Sequence, residues 1–419
     1  MSDASQTKLS FRDEVAWGED PAAPSPQVAL REFRFTSETL NFNQETANSE
    51  EIRDDRNISN IIRVAAESSG DVNIETSFGS HDPLLEGAFF NNWSTAVDVN
   101  DPNVSPLATD AITITANVTS PVSASTGTMT NAGSPDGLLN LQVGAFFQIS
   151  NSQSSPTNDG FYRVVSNAAG TVTFTPSTPA SETNSLVRIR SSFISNGTVF
   201  KSFLIEKEFR DVAQFFAFTG MRVGAWAQNI APGSILNGSL SFQGEIVVDA
   251  AASVSNTSPA VLPTNTTEVF NAVDHVSNVK INDAAQVGVN FTEIAFSVDN
   301  QLRPQPAIGS LANVEIGSGQ VLASGTFTSY FQNKTLYDQF RQFTNVSLSF
   351  VVSIGGNSYV YHFPSFKLTT GEVVAGGNNQ DVLAQFGFTA QRDATLGYTI
   401  GLSRIASNSS ILLPATASQ

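Results

Sequence analysis

The sequence predicts a mainly β protein made of two like units, each with one flanking helix, and a small all-β domain inserted into the first. Three observations predict it: one pattern is stated twice, the composition is that of strands and turns, and the charges vanish over one long internal stretch. At 419 residues the chain is too long for a single small core. Its 31 Phe, set against 3 Met and 3 Trp among abundant Ser, Thr, Asn, Gly and Val, favour strands over helices. Hydrophobic content of 40% is that of an ordinary folded chain.

Residues 1–28, rich in Ser, Ala and Pro around AWGEDPAAPSPQ, read as an N-terminal arm lying on another surface. The first unit takes 29–103 and 196–250. It begins with a hairpin-like stretch, FTSETLNFNQE at 35–45, and continues into the alternating strand SGDVNIETSF from Ser69. Ser80 stands where an N-cap is needed, before a helix started by Pro83 and carrying Leu84, Leu85, Ala88 and Phe89. Between 104 and 187 only Asp110, Asp136, Asp159, Arg163 and Glu182 are charged, which marks an inserted domain over 104–195. Its runs ITITANV, AFFQIS, GFYRVVS and TVTFTP, separated by SPDG, SPTNDG and NAAG turns, predict a small barrel or sandwich. After it, FKSFLIEKEF (200–209) predicts a strand and DVAQFFAF (211–218) a short helical turn. GMRVGAWAQNI (220–230) and GSLSFQGEIVVDA (238–250) then predict strands.

A Ser/Thr/Pro/Asn linker over 251–268 leads to the second unit, 269–405. FTEIAFSVDNQ at 291–301 repeats the opening hairpin, and SGTFTSYF from Ser324 repeats the alternating strand. Asn333 stands at the N-cap of a helix carrying Leu336, Tyr337, Phe340 and Phe343. VSLSFVVSIGGNSYVYHF predicts a hairpin turning at Gly355-Gly356-Asn357. DVLAQFGFTAQRD (381–393) matches ILNGSLSFQGEI (235–246) in position and pattern, and 406–419 reads as a weakly structured tail.

A net charge of −17 argues against general nucleic-acid binding, which needs Lys and Arg, but not against a surface that DNA slides past. The absence of Cys excludes disulfides, thiolate catalysis and Cys-based zinc sites. The N-terminus lacks a basic segment followed by an apolar one, and no apolar run is long enough to span a bilayer as a helix. A soluble protein made in the cytoplasm, with no membrane partner, is expected. No phosphate loop, dinucleotide fingerprint, GxSxG or HExxH is present. His81, His275 and His362 stand at unrelated spacings, and His81, in the first turn of a helix, and His362, in an alternating strand, are expected to be structural. Asp98, Asn100 and Asp101 offer an incomplete calcium loop, so no metal or cofactor is expected. A glycan hydrolase needs two carboxylates converging in an aromatic cleft, whereas Trp17, Trp93 and Trp226 are scattered. A surface adhesin or S-layer-like protein is the alternative, since β domains rich in Ser, Thr and Asn suit that role.

In SEEIRDDR, Arg53 and Arg56 interleave with Glu50, Glu51, Asp54 and Asp55. This is either a solvated loop or a docking surface where each charge meets its opposite on a neighbouring subunit. Alternation also divides the two hairpins. Leu40 and Phe42 share one face, leaving Thr39, Asn41, Asn43 and Glu45 on the other. Ile294, Phe296 and Val298 share one face, leaving Glu293, Ser297 and Asp299 opposite.

EVAWGEDPAAPSPQVALREFRFTSETLNF, SEEIRDDRNISNIIRVAAESSGDVNIETSFGSHDPLLEGAF and SFLIEKEFRDVAQFFAFTGMRVGAWAQNIAPGSILNGSLSFQGE cover residues 14–93 and 202–245. In order and flavour they resemble the major tail tube proteins of long-tailed bacteriophages, and their flavour favours the long flexible, siphophage kind. The resemblance implies two tube-type β-sandwich domains, each flanked by a helix, whose strands extend into a continuous barrel around a lumen. It implies a non-enzymatic virion protein, assembled in the host cytoplasm, that self-assembles into stacked rings and conducts genome DNA without sequence-specific contact. The implied partners are copies of itself and the tape-measure, tail terminator and tail-tip proteins. On this reading the insert decorates the outside, and Thr39, Asn41, Asn43, Glu45, Glu293, Ser297 and Asp299 face the lumen. Glu50, Glu51, Arg53, Asp54, Asp55 and Arg56 contact neighbouring subunits. Two tube domains per chain imply a threefold ring with only approximate sixfold symmetry.

Overall fold

The computed structural model describes residues 3–21, 29–101, 111–117, 125–131, 136–250, 252–255, 261–285 and 290–407. Parts of the expected arm (1–2, 22–28), linker (251, 256–260) and tail (408–419) lie outside these residues.

The protein is mainly β, with three α-helices among the described residues. The first part of the chain contributes strands β1 (Thr7–Asp13), β2 (Leu30–Phe33), β3 (Ser37–Glu38), β4 (Asn41–Asn48) and β5 (Ile61–Glu75), then helix α1 (Asp82–Phe89). Next come β6 (Val97–Val99), β7 (Ile112–Thr115), β8 (Gly127–Asn131), α2 (Asp136–Leu139), β9 (Phe146–Ser150), β10 (Gly160–Ala168), β11 (Thr171–Thr175), β12 (Glu182–Asn184) and β13 (Arg188–Ser195). The chain returns through β14 (Phe203–Phe209), β15 (Gln214–Ile230), β16 (Asn237–Gly244) and β17 (Val247–Ala250). The remainder is β18 (Val261–Leu262), β19 (Val276–Ile281), β20 (Ala284–Ala285), β21 (Phe291–Asp299), β22 (Arg303–Gln305), β23 (Glu315–Gly317) and β24 (Leu322–Tyr330). It ends with α3 (Thr335–Gln342), β25 (Val346–Ile354), β26 (Asn357–Val374), β27 (Leu383–Ala390) and β28 (Gly401–Ile405).

Backbone registers state the duplication more sharply than the sequence does. β4–β5–β16–β15 is an antiparallel run in the first half, and β21–β24–β27–β26 repeats it in the second. An extra residue interrupts both runs at one place, Gly224 between Val223 and Ala225 and Thr369 between Leu368 and Thr370. A second pair of irregularities matches too, at Phe203/Ile205 in β14 and Val346/Leu348 in β25. Such bulges bend a strand: β15 pairs with β14 on its N-terminal part and β16 on its C-terminal part, as β26 pairs with β25 and then β27. The halves join where Ala225–Ile230 of β15 pairs with Asp299–Ile294 of β21, making one continuous sheet. α1 and α3 are both eight residues long and end on a left-handed Phe, Phe90 and Phe343, each at φ 50°.

The expected caps differ. His81 and Lys334 occupy the N-cap positions, and neither makes a side-chain cap bond. Ser80 instead donates its hydroxyl to Asn265 Oδ1 at 2.6 Å, while Asn333 Oδ1 accepts the Thr335 N–H at 3.0 Å. DVAQFFAF is not helical either: after a turn, Gln214 begins β15, because Gln214–Phe218 pairs with Phe209–Ile205 of β14. The Gly355-Gly356 turn has positive φ at both residues (57° and 83°), as a two-residue hairpin requires, and Ile354 faces Asn357 across it.

One hydrophobic core runs through both halves. Trp226 of β15 lies 5.6 Å from Phe89 of α1, 5.3 Å from Phe296 of β21 and 6.2 Å from Tyr361 of β26. Each such aromatic contributes about 1.5–3 kcal/mol by burial, so the halves stabilise one another. The strands β6–β13 enclose a second core around Met129, Leu138, Phe147 and Phe174. β13 belongs to both systems: Arg188–Ser191 pairs with β6 and β9, and Ser192–Ser195 pairs with β28. Phe146 packs on Val351, Val360 and Ile405, and Arg163 pairs with Asp283 at 2.8 Å.

Candidate functional site

One face of the continuous sheet packs Leu40, Val72, Leu240, Trp226, Phe296 and Phe386 into the core. Strict alternation turns the intervening residues the other way. One row across the strands reads Asn73, Ser239, Ala227, Ser297, Ser324, Thr389, each paired with the next. With Asn229, Asn237, Glu293 and Thr326 these residues line an open trough of about 730 Å³ spanning both halves. Small hydroxyls and amides give a wall that stays wet and offers no deep hold for an apolar ligand.

Of the residues singled out from sequence, Glu293 and Ser297 line this trough. Asp299 is on the same face opposite Ala225, with Oδ1 accepting the Gln301 N–H at 2.7 Å. Asn41, Asn43 and Glu45 stand opposite Ser69, Glu67 and Ala65, and Asn43 Nδ2 donates to Ser69 Oγ at 2.7 Å. Thr39 sits between β3 and β4, where its Oγ1 accepts the Asp71 N–H at 2.9 Å. All seven thus share one face of one sheet. From Glu67 to Glu75 on β5, and from Glu293 to Asp299 on β21, the outward residues include acids and no base. Sequence reasoning missed Asn73, Ser239, Thr326 and Thr389. Their alternation was visible, but which strands lie side by side was not.

Glu50, Glu51, Arg53, Asp54, Asp55 and Arg56 are all exposed in the loop joining β4 to β5. Arg53 donates to both carboxylate oxygens of Asp55 at 3.0 Å, which holds the Asp55 carboxyl down at about 2. Both groups are exposed, so this pair shapes the loop more than it stabilises the fold. At the tip Ile52 is fully exposed.

The remaining candidates have structural occupations. Asp98 and Asp101 both pair with Arg188, at 2.7 and 3.1 Å, so a guanidinium occupies the place between these carboxylates. His81 Nε2 is 2.9 Å from the Arg34 carbonyl oxygen, and His362 Nδ1 is 2.9 Å from the Tyr398 hydroxyl. His275 Nδ1 accepts the Asn271 N–H at 2.9 Å. Among the described residues no cluster of His, Asp and Glu is arranged to hold a metal, and no helix is long and apolar enough to cross a membrane.

Two strand edges are also open. Among the described residues β4 pairs only with β5, and Thr370–Val374 of β26 pairs only with β27. A chain with a polar sheet face and free edges at opposite ends of that sheet is built to meet its own kind. The sequence matches the family model described as phage tail tube protein over residues 4–390. The chain belongs to that family. No curated protein matches it. As a phage tail tube protein it has a structural role, associates with itself within a phage tail, and has its place in the virion tail.

Proposed function

We propose that three copies close into a ring, that rings stack into the tail tube, and that the polar sheet face lines the lumen through which double-stranded DNA passes during ejection. The protein performs no catalysis in this role. The units 29–103 with 196–250 and 269–405 act as the tube domains, and 104–195 lies outside. The supporting observation is the internal β15–β21 junction, whose two sides recur unpaired at the ends of the sheet. β26 repeats β15 and β4 repeats β21, so the same register sets Thr370 opposite Asn43, Glu372 opposite Asn41, Val373 opposite Leu40 and Val374 opposite Thr39 of the next copy. Three internal junctions and three such external ones close the barrel, which removes every free edge of the lumen sheet. Assembly ends at the tail terminator and tail-tip proteins around the tape-measure protein.

Negative-stain microscopy of the purified protein tests this reading. Rings with three peripheral lobes, or tubes built from them, are expected. Six lobes per ring would overturn the threefold arrangement, and persistent monomers at high concentration would overturn the ring.

A further inference from the structure

Both halves extend an arm from the same end of the sheet, and each arm ends in a fully exposed isoleucine. Ile52 tips the loop between β4 and β5, and Ile308 tips the β22–β23 hairpin that follows β21. The second arm is held in place: the Ala66 N–H donates to the Leu311 carbonyl at 3.0 Å, and Arg222 pairs with Glu315 at 2.6 Å. A fixed, fully exposed isoleucine forgoes about 1.5–3 kcal/mol of burial.

At the opposite end of β21, about 30 Å away along the strand, lies a cavity of about 350 Å³ where Ile230, Pro232, Val276, Val279, Phe291 and Ile294 stand together with Asn290, Thr292 and one acid, Glu293. The first half has a cavity of about 370 Å³ at the same end, where Phe35 takes the place of Phe291, but Glu32, Arg34 and Glu75 make it charged. The arms differ in the same sense. Ile52 is flanked by Glu50, Glu51, Arg53 and Asp54, whereas Ile308 is flanked by Pro306, Ala307 and Gly309.

We infer that Ile308 of one ring enters the Ile230–Val276–Phe291 cavity of a second copy in the adjacent ring, while the charged arm meets the charged cavity. This rests on the stacked-ring reading and adds a register to it: each unit stacks on its own kind. A rotation by one unit would set Glu50, Glu51 and Asp54 over a cavity whose one charged lining residue, Glu293, is itself an acid, so they would lose water and meet repulsion instead of a partner.

The chain contains no Cys, so introduced thiols report only designed contacts. In assembled tubes, the Ile308→Cys/Val276→Cys variant should form chain-to-chain disulfides on oxidation, and Ile52→Cys/Val276→Cys should not. Equal crosslinking by both variants, or crosslinking only by the second, overturns the register. As a second measurement, Ile308→Asp should leave subunit melting and ring formation unchanged while abolishing stacking. Tubes of normal length from that variant overturn the plug. Wild-type protein that forms no rings fails the tube reading itself, and the inference falls with it.

Discussion

Asp82 ties the two halves together at the level of single atoms. Buried in the first turn of α1, its carboxylate accepts hydrogen bonds from the Tyr359 hydroxyl of β26 and from Arg404 of β28, the latter at 2.5 Å. The Arg404 guanidinium lies over the Trp93 ring at 4.4 Å, and burial, then Asp82, raises the Tyr359 hydroxyl well above its usual range. Asp82→Ala leaves a buried guanidinium without its carboxylate, so a loss of about 3–5 kcal/mol in urea unfolding is expected. His81, one residue earlier, gives the fold an acid sensitivity. Burial pushes its imidazole down from 6.5 to about 4. Below pH 6.5 the unfolded chain takes up a proton that the folded chain refuses. The stabilisation from neutral His81 is therefore full above pH 6.5 and disappears as the pH falls toward 4, a span worth at most ~3 kcal/mol. Burial raises the carboxyls of Asp13, Glu14 and Glu206, which favours the folded state as acid protonates them and opposes the trend. The difference between wild type and His81→Gln isolates the imidazole: the variant should lose less stability between pH 6.5 and 4. Parallel curves would remove His81 from the account.

At the scale of elements, the open edge of β4 is guarded in the free subunit. The Thr39 N–H bonds the Asp71 carbonyl at 2.9 Å, so the Leu40 N–H and carbonyl point away from β5. Glu38 accepts that N–H at 2.8 Å, Lys207 donates to that carbonyl at 3.3 Å, and the two side chains pair at 2.7 Å. At the internal junction Ile294 holds the place of Glu38, and Phe296, in the place of Leu40, faces Gln228. Charged side chains on an edge discourage indiscriminate pairing. Removing both with Glu38→Ala/Lys207→Ala should shorten the lag before ring formation in light scattering. Val373→Pro removes the one N–H directed at the neighbour's Leu40 and spares the β27 ladder, so a folded chain that stays monomeric by sedimentation is expected. Rings from that variant would disprove the register. The alternating strands and helices α1 and α3 were legible in the sequence because their periods and Pro83 are local signals. The hairpins expected at 35–45 and 291–301 are not hairpins: β3 and β4 both pair with β5, and Phe291–Asp299 forms one strand. The β15–β21 junction was not legible, since strand adjacency is set by contacts between residues far apart in sequence. The helical reading of DVAQFFAF failed for a related reason: pairing with β14 overrides a local pattern.

For the whole molecule, what matters is the sign of the wall. In a threefold ring any outward residue of β4 or β21 appears three times per ring and again in every stacked ring, so one substitution paints a charged band along the tube. DNA carries one negative charge per roughly 1.7 Å, and its interaction with such a band is screened over roughly 8–10 Å at ordinary salt. On the proposed reading this wall meets the phosphates with Asn, Ser, Thr, Glu293 and Asp299, while Lys367, opposite Thr389, gives its ammonium to the Phe343 carbonyl. Asn41→Lys and Asp299→Lys turn outward positions into cations without touching the core face, where Leu40, Phe296 and Val298 are buried. Neither position supplies a backbone group that ring closure lacks, so tubes of normal length are expected from both. Ejection from particles built with either variant should be slower than wild type when followed by dye fluorescence on released DNA. The deficit should grow at low salt and shrink as salt is added, because counterion release governs each Lys–phosphate contact. Unchanged ejection at low salt from particles with intact tails would mean that this face does not line the channel. The edge register would then have to close a ring whose other face looks inward.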